Sequence, residues 1–240
     1  MGAEGSRGLR IDQGDRLKLP QFNGPLERRR NSFIFNVGKI MSRYAKSLSN
    51  KIIGMNCFEC FVYFESEEPL VYGYALEKIR GEIRVCSFVF FIFDGFDSIN
   101  LNFSNYYDYP KGYIDTSGKT KELVISELVD LVNGSIEELR SVSSIKSMIE
   151  YILSNQVILR NSWVLRSLIN CLVYSGRYDE AIHYSNILLD RTLDKSQEII
   201  KEDVKEMLEL IQCGELLESK KRLLDRKNRN KWLAVKEKEK

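Results

Sequence analysis

The chain has 240 residues and a formal net charge of +2, and 43% of its residues are hydrophobic. A chain of this length and composition buries roughly 70–75% of its unfolded surface, which excludes a disordered polymer. Its longest apolar run, Val85 to Phe93 with Ser87 inside it, is far short of the ~20 residues of a membrane span, and Met1 to Arg10 lacks the apolar core of a signal peptide, so the sequence predicts a cytoplasmic protein with no membrane partner.

The small net charge is a cancellation. Residues 1–30 hold seven Lys/Arg against four Asp/Glu, and residues 220–240 hold ten against three. Residues 31–219 hold 19 against 27, so an acidic body lies between basic ends. The segment 1–30, with five Gly and two Pro, reads as a poorly ordered basic arm.

Ser32 is placed to cap a helix whose Phe33, Val37, Ile40, Met41, Tyr44, Leu48 and Ile52 fall on one face, with Gly54 ending it. Four strands are predicted next: Cys57 to Phe64, Leu70 to Glu77, Glu82 to Phe93 and Ser98 to Tyr107. Their short polar links suit antiparallel neighbours, and Asp94-Gly95 is a hairpin signal. The fourth strand alternates Ile99, Leu101 and Phe103 with polar residues, so one of its faces is wet. Phe88 to Phe93 is apolar throughout, which predicts a central strand covered on both faces or one lying against a partner chain.

From Thr116 the period becomes helical. One helix carries Leu123 to Val132 and ends at Gly134, and another carries Ile145 to Leu153 behind Ser143/Ser144. A third starts at Ser162 and turns at Gly176 into a fourth, from Tyr178 to about Arg191. Two more, about 195–213 and 215–235, are divided by Gly214. The fold class is therefore α+β: an N-terminal helix and four-stranded antiparallel sheet over 31–115, a helical half over 116–219 packed on the sheet, and a basic C-terminal helix or tail over 220–240.

The chemistry-bearing residues are few. Cys57 and Cys60 lack the second spaced pair of a zinc site, and five cysteines in a reducing compartment read as buried thiols. His183 is the only histidine and sits mid-helix. There is no phosphate-binding glycine loop and no catalytic motif, so no enzyme activity and no cofactor is expected. Asp94 and Asp97 with Glu59 or Glu82 are the carboxylates that a metal-dependent enzyme would use.

Asp94, Phe96, Asp97, Tyr106, Tyr107, Asp108, Tyr109, Tyr113 and Asp115 form the candidate partner-binding segment. Tyrosine gives a large contact area with a polar handle, and the carboxylates would steer a basic partner. The other reading packs these tyrosines back on the helical half. The tail 220–240, with Leu216, Leu217, Leu223, Leu224, Trp232 and Val235, could meet nucleic acid or an acidic membrane surface, or be a solvated last helix.

Leu165, Leu168, Leu172, Gly176, Tyr178, Ala181, Tyr184 and Leu188, read through Gly176-Arg-Tyr-Asp-Glu-Ala-Ile182, resemble one tetratricopeptide-type helical hairpin. Ile169 replaces its usual small residue, and no second copy follows 34 residues on. The order of sheet, helices and this hairpin over residues 55–190 is similar to uncharacterised bacterial domains among polymorphic-toxin immunity proteins. That resemblance implies a protein that neutralises a cognate toxin, often a nuclease, by occluding a basic surface. The alternatives are a nucleic-acid-associated protein binding through its basic termini, and a metal-dependent enzyme using sheet carboxylates.

Overall fold

A computed structural model describes residues 39–94, 103–107, 111–191 and 197–228. The predicted arm over 1–30, the Ser32 cap, the strand positions Ile99 and Leu101, and the tail residues Trp232 and Val235 lie outside the described residues. The architecture is the expected one, a helix, then an antiparallel sheet, then an all-helical half.

Helix α1, Lys39–Ser49, buries Met41, Ala45 and Leu48 at helical spacing and packs near the first strands. The predicted strand Cys57 to Phe64 is instead a tight hairpin of β1, Asn56–Phe58, and β2, Phe61–Glu65, with Phe58 paired to Phe61. Glu59 makes the reversal by adopting a left-handed φ of 52°, without the Gly or Asn that normally signals such a turn. Cys57 therefore lies in β1 and Cys60 in the turn itself, rather than both along one strand.

Strand β3, Leu70–Ile79, pairs along its whole length with β4, Glu82–Phe91, across the turn Arg80-Gly81. A Cβ at Gly73 would overlap the Val62 carbonyl of β2, so this position requires glycine. Strand β4 is central, as its composition predicts. Val89 and Phe91 on one face and Phe88 and Phe90 on the other are all buried.

The far edge of β4 is shared by two short strands. β5, Phe103–Tyr106, pairs with Cys86 to Val89, and β6, Tyr113–Asp115, pairs with Glu82 to Arg84. The sheet thus has six strands among the described residues, not four, in the order β1-β2-β3-β4-β5 with β6 also on β4.

Helix α2, Lys121–Arg140, is capped by Thr120 and buries Val124, Leu128, Val132, Ile136 and Leu139. It does not end at Gly134. That glycine faces open space while Ile136 and Leu139 continue the buried stripe, so burial outweighs its ~1 kcal/mol propensity cost. Helix α3, Ile145–Ser154, starts at a Ser144/Ser147 capping box, and the Glu68 carboxylate, from the β2–β3 link, also accepts from the Ile145 N–H.

Helix α4, Ser162–Tyr174, is capped by Asn161 rather than Ser162: its Oδ1 accepts from the Trp163 N–H at 2.8 Å. Gly176, at φ 75°, turns the chain into α5, Tyr178–Leu189. Gly214, at φ 78°, separates α6, Glu198–Gln212, from α7, Leu216–Asn228. Among the described residues no helix is long and apolar enough to cross a membrane.

Candidate functional site

At the end of β4 the chain enters a 3-10 turn, Ile92–Asp94, that directs Asp94 into the protein rather than to solvent. Asp94 is 3% exposed. Ser167 Oγ donates to one carboxylate oxygen and Asn170 Nδ2 to the other at 3.0 Å, while Arg166 Nη1 donates to the Asp94 carbonyl at 2.9 Å. The Arg166 Nε donates to Asp203 of α6 at 2.6 Å, and Arg226 of α7 grips the same carboxylate with two nitrogens. Burial pulls the Arg166 guanidinium below its usual value, and the Asp94 charge opposes that shift.

This chain of charges joins the sheet to three helices. It corrects the expectation that Asp94 belongs to a partner-binding surface. Asp94-Gly95 reads locally as a turn, but a carboxylate next to the core has to find donors, and α4 supplies them. The available signal was Arg166, Ser167 and Asn170 standing together in an otherwise apolar helix.

Tyr107 is also turned inward. It packs half-buried against the core, with hydrogen bonds to Ser135 of α2 and Ser87 of β4 that partly offset the upward push of burial on its phenol. The neighbouring Tyr74 hydroxyl lies 3.0 Å from Ser135 Oγ, and burial raises its phenol as well. Gly112 permits this packing, since a Cβ there would stand 2.5 Å from the Tyr107 Cβ. For Tyr107 the inward alternative holds.

The other end of the candidate segment stays outside. In β6, Ile114 is buried, so Tyr113 and Asp115 take the opposite face, where Tyr113 is half-buried and Asp115 exposed. Ladder register sets Tyr113 opposite Arg84, which pairs with Glu77, and Asp115 opposite the half-buried Glu82. The Ser117 N–H donates to Asp115 Oδ1 at 2.9 Å and holds its carboxyl below the usual range. Tyr106 lies in β5 opposite Cys86. Phe96, Asp97, Asp108 and Tyr109 are outside the described residues.

The carboxylate constellation proposed for a metal is not assembled. Glu82 begins β4 and Asp94 lies beyond its end, so about nine strand steps, roughly 30 Å, separate them, and Glu59 sits in the β1–β2 turn. Among the described residues no three His, Cys, Asp or Glu side chains converge as a metal site. His183 is exposed on α5, edge-on to Tyr184. Cys60 and Cys86 are buried thiols that burial pushes up to about 12.

Sequence reading missed the two adjoining surface depressions between α6 and α7. The larger, about 350 Å³, is lined by Leu210, Glu218, Arg222, Asp225 and Arg226, and the smaller, about 240 Å³, adds Glu206, Glu209, Cys213 and Glu215. Both arginines are engaged, Arg222 with Glu206 and Arg226 with Asp203. No family model, curated protein or solved structure matches the chain.

Proposed function

We propose that the chain is a non-enzymatic protein-binding protein of the immunity-like kind, cytoplasmic, which neutralises a cognate toxin by occluding a basic surface. The observation that carries this reading is the pair Glu82 and Asp115, set directly opposite one another on the outward face of the β4–β6 ladder beside Tyr113. The two carboxylates set negative charge side by side on this face, which favours a cation brought by a partner; within the chain, Lys119 is the charge that acts on Asp115.

The surrounding charge agrees in sign, because residues 31–219 hold 27 acidic side chains against 19 basic ones. A nuclease that contacts phosphate presents a basic surface of complementary charge. Tyr113 offers the adjoining aromatic contact.

The test is calorimetric titration of the full chain into the product of the adjacent gene, with relief of that product's toxicity as a second readout. Replacing Glu82 and Asp115 together by Lys should weaken binding by at least about tenfold, on the order of 1.4 kcal/mol, while circular dichroism stays unchanged. Unchanged affinity removes this surface, and a wild-type chain that neither binds nor protects removes the immunity-like reading.

A further inference from the structure

Helix α7 lies against the Ile92–Asp94 turn, α4 and α6. All three residues of that turn are buried, and Phe93 stacks on Tyr174 of α4. The apolar hold of α7 on this corner is small. Leu223 is the only buried apolar side chain among its described residues, with Ser219 beside it, whereas α6 buries Ile200, Val204, Met207, Leu208 and Ile211. Leu216, Leu217 and Leu224 stay exposed, Leu217 by 86%. The seam with α6 is also loosely filled, since the depressions of about 350 and 240 Å³ lie along it and side chains of both helices line them.

Ion pairs to α6 supply the rest of the attachment. Arg222 pairs with Glu206, but both are partly exposed, and such a pair contributes little. Arg226 grips Asp203 with two nitrogens, and both groups are largely buried. Breaking a buried pair is normally expensive because one charge stays behind without a partner. Here none does. Arg166 already donates to Asp203 Oδ2 at 2.6 Å, so the carboxylate keeps a guanidinium when Arg226 leaves, and Arg226 is carried into water with its helix.

We infer that α7 is a releasable strap, which lifts from the end of β4 as a unit while α4, α5 and α6 stay folded, with Arg166 as the partner of Asp203 in the open state. A helix of 13 residues is marginal alone in water, so the released segment loses its helix and its amides exchange. Opening uncovers the Ile92–Asp94 turn, and α7 thereby controls access to that corner of the sheet. The two arginines are unequal in this device. Arg166 also donates to the Asp94 carbonyl and stands beside the buried Asp94 charge, so its loss disturbs the core, whereas loss of Arg226 only frees the strap. The strap is separate from the Glu82 and Asp115 face and stands independently of the immunity-like reading.

The test is amide hydrogen exchange of the full chain at neutral pH, read by mass spectrometry on peptides from α7, α4 and β4 and corrected for intrinsic rates. Expected in the wild-type chain is exchange of the Ser219 to Leu224 amides at least about 100-fold faster than that of the Leu168 to Leu172 amides of α4. Arg226→Gln should speed the α7 exchange at least about tenfold further and change that of α4 by less than about twofold. Leu223→Ala, which removes the apolar anchor, provides the same readout should Arg226→Gln fail to fold. Equal protection of α7 and α4, or a substitution that speeds both in parallel, would mean that α7 melts only with the whole chain and overturns the proposal. So does α7 exchange that Arg226→Gln leaves unchanged, since the Asp203 pair would then hold nothing.

Discussion

Two buried polar systems fasten the sheet to its helices, and they are built from opposite materials. On one side the phenols of Tyr74 and Tyr107 meet the hydroxyls of Ser87 and Ser135, joining the sheet to α2 through neutral groups. On the other, the Arg166 and Arg226 guanidinium groups share the Asp203 carboxylate, and Arg166 also donates to the Asp94 carbonyl, so charged groups tie the end of β4 to α4, α6 and α7. A neutral hydrogen bond contributes about 1 kcal/mol net, and its loss is limited. A buried ionic chain has little net worth when complete, yet breaking it is expensive, because it leaves a charge without its partner.

The largest expected effect follows from that contrast. Arg166→Ala should cost about 3–5 kcal/mol, against about 1 kcal/mol for Tyr107→Phe, both measured by equilibrium urea unfolding. A triple variant, Arg166→Met with Asp203→Leu and Arg226→Met, which removes the whole Arg–Asp–Arg unit, should recover part of the loss, since apolar packing often substitutes for a complete ionic group. An Arg166→Ala cost no greater than that of Tyr107→Phe would mean that the charged chain is slack and the contrast false.

The same two systems show what could be read from the residues and what could not. The central place of β4 was legible because Phe88 to Phe91 leaves no polar face to expose, and the breaks at Gly176 and Gly214 were legible because those residues adopt positive φ. The β1–β2 hairpin was hidden since Glu59 carries no turn signature. Strand β6 was hidden because three residues pair only when β4 presents Glu82 to Arg84 to them. For the candidate segment, local composition identified tyrosines and carboxylates. Whether each points in or out is set by ladder register and by donors on α2 and α4, contacts more than twenty residues distant.

Alkaline titration probes the neutral groups of the sheet in particular. Cys60 and Cys86 are held at about 12, above the ordinary thiol value of 9.0, and the phenols of Tyr74 and Tyr107 are also raised, all chiefly by burial. A raised pKa means that the folded chain keeps a proton that the unfolded chain releases. The stabilisation is therefore complete below about pH 9 and is lost as pH climbs toward 12, with a slope of up to ~1.4 kcal/mol per pH unit for each group. Urea unfolding at pH 7, 9 and 10.5 in reductant should show this decline, and Cys60→Ala with Cys86→Ala should flatten it. An equal slope in that variant would assign the alkaline loss to other groups.

The smallest effect sharpens the distinction between a hydroxyl that is used and one that is merely enclosed. Ser135 donates to the Leu131 and Val132 carbonyls and meets Tyr74, so its burial is compensated. Ser185 sits on the inward line of α5 with Ala181 and Leu188, is fully buried, and its Oγ has no hydrogen-bond partner among the described residues. A buried hydroxyl without a partner costs the fold about 1–3 kcal/mol in lost hydration, part of which its small size recovers by letting the neighbouring helices approach closely. Ser185→Ala keeps the size and removes the hydroxyl, so it should leave stability unchanged or raise it by up to about 1 kcal/mol in urea unfolding, whereas Ser135→Ala should lower stability by a similar amount. If Ser185→Ala were the more destabilising of the two, the Ser185 hydroxyl would have to be making a bond in solution, and α5 would have to pack differently along that line.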